Sequence, residues 1–118
     1  MQPVELRVNA AAATSAQIGV PGEEDLFLFN AATRGRHVIE TSGQTNVVMK
    51  LFGPNSQTSL LAEDDDCGAG LNSRIAADLL PGEYFVQIRH YNQVRGAGSY
   101  GIRVRRGQGI GRKAGASG

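Results

Sequence analysis

Short apolar runs of period two, interrupted by turn-forming residues about every 8–12 positions, constrain this chain more than any other feature. Residues 25–29 (Asp-Leu-Phe-Leu-Phe), 37–41 (His-Val-Ile-Glu-Thr), 47–52 (Val-Val-Met-Lys-Leu-Phe), 74–79 (Arg-Ile-Ala-Ala-Asp-Leu), 84–89 (Tyr-Phe-Val-Gln-Ile-Arg) and 99–104 (Ser-Tyr-Gly-Ile-Arg-Val) have strand length and strand composition. A sustained i, i+3, i+4, i+7 pattern occurs nowhere, so no amphipathic helix is expected. The stretches between these runs all carry Gly, Pro, Asn or Ser in turn clusters. Parallel strands need crossovers of a dozen or more residues, and these gaps are too short to supply them throughout. The expectation is an all-β fold: a single antiparallel β-sandwich, jelly-roll-like, with about eight strands.

Parity within each run assigns faces. Tyr84, Val86 and Ile88 point one way and Phe85, Gln87 and Arg89 the other, while Tyr100, Ile102 and Val104 oppose Gly101, Arg103 and Arg105. Extended over the chain, the same rule places Phe27, Phe29, Ile39, Met49, Leu51, Ile75, Leu79, Tyr84, Val86, Ile88, Tyr100, Ile102 and Val104 in the core. His37 is expected to be a half-buried packing residue, and His90 a surface residue at a strand end.

A length of 118 residues fits one domain. Sixteen glycines favour turns over helices, and 41% hydrophobic with 19% charged residues suits a globular chain rather than a disordered one. No apolar run approaches the ~20 residues of a membrane-spanning helix. The first residues show no basic segment followed by an apolar one, so no signal peptide is read there. Residues 1–13 form an N-terminal segment in which Val4, Leu6 and Val8 alternate and would suit an edge strand. Residues 14–105 carry the sandwich, and 106–118 read as a flexible Gly/Arg-rich tail.

The chemistry-bearing motifs are sparse. Gly96-Ala-Gly-Ser-Tyr-Gly101 matches GxGxxG, but it leads into a strand rather than opening a helix, so a tight hairpin is the better reading. His37 and His90 are the available imidazoles, and neither GxSxG nor HExxH is present. Cys67 is the single cysteine, which excludes an intrachain disulfide. No catalytic residues are therefore assigned, and the chain is not expected to be an enzyme or to require a cofactor. Oxygen-rich loops can hold calcium, which makes Asp64, Asp65 and Asp66 candidate ligands. The favoured reading is an Asx-type turn in which one or two of these aspartates bond backbone amides near Asn72 and Ser73.

Charge is also segregated. Residues 89–113 hold seven basic residues and no acidic one. Arg89, Arg103 and Arg105 are expected to share one sheet face, where they would either form a polyanion-binding stripe or discourage edge pairing. No exposed aromatic ladder accompanies them, which disfavours nucleic acid as a partner.

Four segments taken in order resemble the bacterial pre-peptidase C-terminal domain, a family related to collagenase collagen-binding domains. Glu24-Asp-Leu-Phe-Leu-Phe29 is similar to its D-x-D-x-F-x-F strand. Asn46-Val-Val-Met-Lys-Leu-Phe-Gly53 followed by Leu60-Leu-Ala-Glu-Asp-Asp65 resembles its strand, turn and double-Asp loop. The third segment is Asn72-Ser-Arg-Ile75. Pro81-Gly-Glu-Tyr-Phe-Val-Gln-Ile88 with Gly98-Ser-Tyr-Gly-Ile-Arg-Val104 resembles its G-x-Y-x-V-x-V strand and closing G-x-Y strand.

The resemblance implies a non-catalytic accessory domain of a secreted or surface hydrolase, a peptidase in the typical case, serving substrate or matrix attachment or assisting secretion and folding. Its partner would be the parent enzyme or an insoluble polymer, protein or polysaccharide, and its location extracellular or on the cell surface. The isolated domain would be monomeric. The resemblance also implies calcium ligands at Ser15, Glu23 and Asp25, while the family's N-terminal acidic segment has no counterpart in residues 1–13. Collagen-binding relatives carry aromatic residues on an exposed sheet face. Here Phe85 and Tyr91 are the aromatic candidates beside Arg89, Arg103 and Arg105, and collagen binding itself is not carried over. The alternatives are a polyanion-binding module using the arginines and a structural spacer.

Overall fold

The computed structural model describes residues 3–65 and 72–107. Asp66, Cys67 and the tail from 108 onward lie outside the described residues, as does the side chain of Asp65. Among the described residues nine strands run in chain order: β1 (Val4–Glu5), β2 (Thr14–Ile18), β3 (Glu24–Ala31), β4 (Gly35–Ser42), β5 (Val47–Phe52), β6 (Leu60–Asp65), β7 (Arg74–Leu79), β8 (Gly82–His90) and β9 (Gly98–Arg106). They form a five-stranded sheet in the order β1-β3-β8-β5-β6 and a four-stranded sheet in the order β2-β9-β4-β7. Every connection except the β5–β6 hairpin passes from one sheet to the other. That alternation closes a sandwich and leaves each sheet one uncovered outer face. Among the described residues no helix is long and apolar enough to cross a membrane.

All thirteen positions that parity assigns to the core are buried in one cluster, joined by Leu6, Ile18, Ala31 and Val47. Aromatic rings span the space between the sheets. Phe29 stacks on Tyr84, with ring centroids 5.5 Å apart, and on His37 at 6.1 Å. Gly53 ends β5 against this column with φ at +134°, and a Cβ there would lie 2.8 Å from the Tyr84 ring, which accounts for glycine at the position. His37 is fully buried rather than half-buried, and its Nδ1 bonds the Gly35 carbonyl oxygen at 2.8 Å.

Three elements differ from expectation. β1 pairs with β3 in parallel, through Val4 opposite Phe27 and Glu5 opposite Leu28. The segment then crosses toward the second sheet, where the Asn9 N–H donates to the Val104 carbonyl and the Arg106 N–H donates to Asn9 Oδ1. This covers the part of β9 beyond Ile102, where pairing with β2 ends. β2 and β6 had no clear signal, because Thr14–Ile18 holds one large apolar residue and Leu60–Asp65 ends in acids that read as a turn. Asp64 and Asp65 are instead paired with Met49 and Val48 of β5.

Candidate functional site

The outward positions of β9, β4 and β7 build the outer face of the four-stranded sheet. Register places Glu40 of β4 opposite both Arg103 of β9 and Arg74 of β7, with Val38 opposite Arg105 and Ala76 in the next row. Glu40 accepts hydrogen bonds from Arg103 Nε at 3.1 Å and Arg105 Nε at 3.2 Å, and Arg74 Nε stands 3.9 Å from its other oxygen. Partial burial would raise the Glu40 pKa, but the bonds from Arg105 and Arg103 outweigh it and hold the carboxyl below the usual glutamate range. Arg74 is the member that sequence reasoning missed, since its place opposite Glu40 follows from a register between segments more than thirty residues apart.

Arg89 does not belong to this face. It extends from β8, in the other sheet, and donates through Nη1 to the His90 carbonyl at 3.1 Å. The expected three-arginine stripe is thus divided between opposite faces, because parity within a strand does not reveal which sheet the strand joins. Phe85 also departs from its expected exposure and is only 6% exposed. Its strand is the centre of the five-stranded sheet, with Leu28 and Phe52 at the flanking register positions. Tyr91 is exposed just beyond β8, and its N–H donates to the Asn46 carbonyl at 2.9 Å.

A second cluster lies at the start of β3. Asp25 Oδ2 accepts the Tyr100 hydroxyl at 2.5 Å, and Glu23 accepts the Gly19 N–H at 2.9 Å. Desolvation, with the hydrogen bond to Glu23 adding to it, pushes the Asp25 carboxyl up to about 6. Glu23 is correspondingly lowered by its bonds with Asp25 and the Gly19 N–H. Burial and donation to Asp25 both raise the Tyr100 hydroxyl above the usual tyrosine range. Ser15 and Asp25 line the same cavity of about 220 Å³ between β2 and β3, so the structure brings these two candidates together.

Calcium wants six to eight oxygens, and these carboxylates are already engaged with one another, with Tyr100 and with Gly19. Among the described residues no three His, Cys, Asp or Glu side chains stand close enough to hold a metal ion. Asp64 Oδ2 accepts the Arg74 N–H at 2.7 Å, one residue beyond the amides that the turn reading named. The side chains of Asp65 and Asp66, the other candidate ligands, lie outside the described residues.

The raised Asp25 pKa fixes a sign. The folded state binds the proton more tightly than the unfolded chain does, so this group's stabilisation is complete below about 4 and is lost as pH rises through 6. Each tenfold difference in proton affinity between the two states corresponds to about 1.4 kcal/mol, and solvent around this partly exposed group reduces the net effect to about 1 kcal/mol. Asp25→Asn keeps an acceptor for Tyr100 and cannot ionise. Urea unfolding at pH 4.5 and 7 is expected to show the wild type losing about 1 kcal/mol more than Asp25→Asn over that interval. Equal losses in the two proteins would show that the carboxyl titrates as an ordinary aspartate.

No family model matches the chain, and no curated protein matches it. Solved structures do. The pre-peptidase C-terminal domain of a collagenase from Bacillus anthracis is similar at 17% identity and a TM-score of 0.66, over 87% of this chain and 94% of that one. Salmonella Typhimurium PliG, a periplasmic lysozyme inhibitor of g-type lysozyme, is similar at 17% identity and a TM-score of 0.56, over 87% of this chain and 97% of that one. At such identities the likeness is one of architecture: this chain has the two-sheet β-sandwich fold of the collagenase pre-peptidase C-terminal domain, a fold that PliG resembles too.

Proposed function

We propose that this chain is a non-catalytic accessory domain of a secreted or surface hydrolase and that it holds its parent enzyme on an insoluble polymer. The observation that carries this reading is the fold shared with the pre-peptidase C-terminal domain of a collagenase over 87% of this chain and 94% of that one. The arrangement of the imidazoles agrees with a role outside catalysis. His37 is sealed in the core against Phe29, and His90 Nδ1 accepts the Asn92 N–H at 2.9 Å with the Gly96 backbone against its ring. A rigid sandwich with its two outer faces uncovered suits presentation of a binding surface beside another domain.

Co-sedimentation of the chain with insoluble proteins and polysaccharides tests the proposal, alongside secretion of a hydrolase with and without the domain fused to it. Retention on at least one polymer is expected. No retention on any polymer, combined with unchanged secretion, would overturn it. A g-type lysozyme assay separates attachment from inhibition, since an attachment domain leaves the lysozyme rate unchanged.

A further inference from the structure

Arg103 and Arg105 donate to Glu40 through Nε, and Arg74 Nε stands 3.9 Å from its other oxygen, so the carboxylate ties down two of the three stems and engages none of the Nη groups in a hydrogen bond. Those Nη edges make no hydrogen bond among the described residues. The side chains are 45%, 44% and 37% exposed, against 25% for Glu40. Three positive charges set against Glu40 and against Asp64, which accepts the Arg74 N–H, leave this patch net cationic, and planar guanidinium forks match sulfate and carboxylate groups in geometry. Holding two of the stems in place beforehand lowers the entropy cost of binding.

The ground beside the arginines is concave. A cavity of about 330 Å³ bounded by Glu40, Ser42, Asn72, Arg74 and Arg103 meets, at Ala13 and Ser42, a wider trough of about 640 Å³. The trough runs along Ser15, Gln17, Ser99 and Gly101, and the one aromatic residue in its wall, Tyr100, is buried. Protein interfaces rely on desolvated aromatic or aliphatic anchors, and single-stranded nucleic acids rely on stacking platforms. These walls carry no exposed aromatic side chain, and their aliphatic residues are alanines, Ala13 and Ala16. Hydroxyl, amide and guanidinium groups suit a ligand that is itself hydroxylated and anionic.

We propose that this face binds an acidic polysaccharide, with sulfate or carboxylate groups on the Nη edges of Arg74, Arg103 and Arg105 and sugar hydroxyls along the serine-lined trough. This rests on the attachment function proposed above and names the class of polymer.

The test is affinity chromatography and titration calorimetry of the whole chain with heparin, with polygalacturonate and with neutral dextran. Binding to heparin or polygalacturonate and not to dextran is expected, and the stronger of the two identifies sulfate or carboxylate as the preferred group. Affinity should fall with salt as expected for about three anionic contacts. Arg74→Gln, Arg103→Gln and Arg105→Gln should each weaken binding by about fivefold, and the triple variant should lose it. Circular dichroism checks that each is folded. Arg89→Gln on the opposite face should leave affinity unchanged, and Arg112 and Lys113 are common to all the variants.

Absence of binding to both anionic polymers, equal binding to dextran, or an Arg89→Gln loss matching Arg103→Gln would overturn the proposal. Retention on a neutral polymer or an insoluble protein would then leave the attachment function standing. Retention on nothing, with secretion unchanged, would remove both.

Discussion

Phe29→Ala is expected to destabilise the domain by about 3–5 kcal/mol, the range for removing a fully buried aromatic ring. Phe29 is completely inaccessible and lies between two rings, Tyr84 of its neighbouring strand and His37 of the opposite sheet. It thus belongs to the contact between the sheets and not only to one of them. The walls of the resulting cavity are strands fixed by their ladders, with β3 hydrogen-bonded to β8 along its whole length, so the space cannot close by local collapse. The His37 ring would also lose the face it packs on, while its Nδ1 bond to Gly35 holds it in place. Urea unfolding would show the midpoint falling with the slope unchanged, and the melting temperature should drop by more than about 10 °C. A loss under about 1 kcal/mol would mean that the two sheets repack around the gap.

How much of this was legible in the sequence depends on the range of the interaction. Period-two alternation sufficed for the core, because the face a residue takes is decided by its own strand. Phe85 shows the limit of that rule. Parity correctly sets it opposite Tyr84 and Val86, yet its burial comes from Leu28 and Phe52, which flank it only because β8 is the central strand. The arginines fail for a related reason. Arg89 and Arg103 look equivalent along the chain, and the strand order alone puts them on opposite faces of the molecule.

The same holds for the polar clusters. Asp64 was readable as an acceptor for a backbone amide, since residues ten apart are joined by one short connection. Glu40 with Arg74 and Arg103, or Asp25 with Tyr100, requires a register that no local pattern encodes. β1 was readable as an edge strand from the alternation of Val4, Leu6 and Val8, but the parallel direction of its pairing was not. Its parallel pairing covers two residues, too few to imprint a pattern.

Ser73→Ala is expected to cost about 1–3 kcal/mol, more than a single solvent-exposed hydrogen bond would. The residue is fully buried just before β7 and ties three strands together. Its hydroxyl donates to the Val47 carbonyl of β5 at 2.5 Å, its N–H donates to Thr41 Oγ1 at 2.9 Å, and its carbonyl accepts the Thr41 N–H of β4 at 3.0 Å. β5 and β4 lie in different sheets, so this one residue, through its hydroxyl and its backbone, connects the two layers at the edge of the cavity beside Glu40. Alanine leaves the Val47 carbonyl without that donor in a buried setting. Thr41→Val removes the acceptor from the Ser73 N–H, and the double variant should cost less than the sum of the two, with a coupling above about 0.5 kcal/mol. Additive losses would mean that the two bonds act independently. Because Arg74 follows Ser73 directly, the same substitution loosens the backbone from which that guanidinium extends. Heparin affinity should therefore fall in Ser73→Ala although no charge has been removed, whereas unchanged affinity would show that the β4–β7 ladder alone holds Arg74 against Glu40.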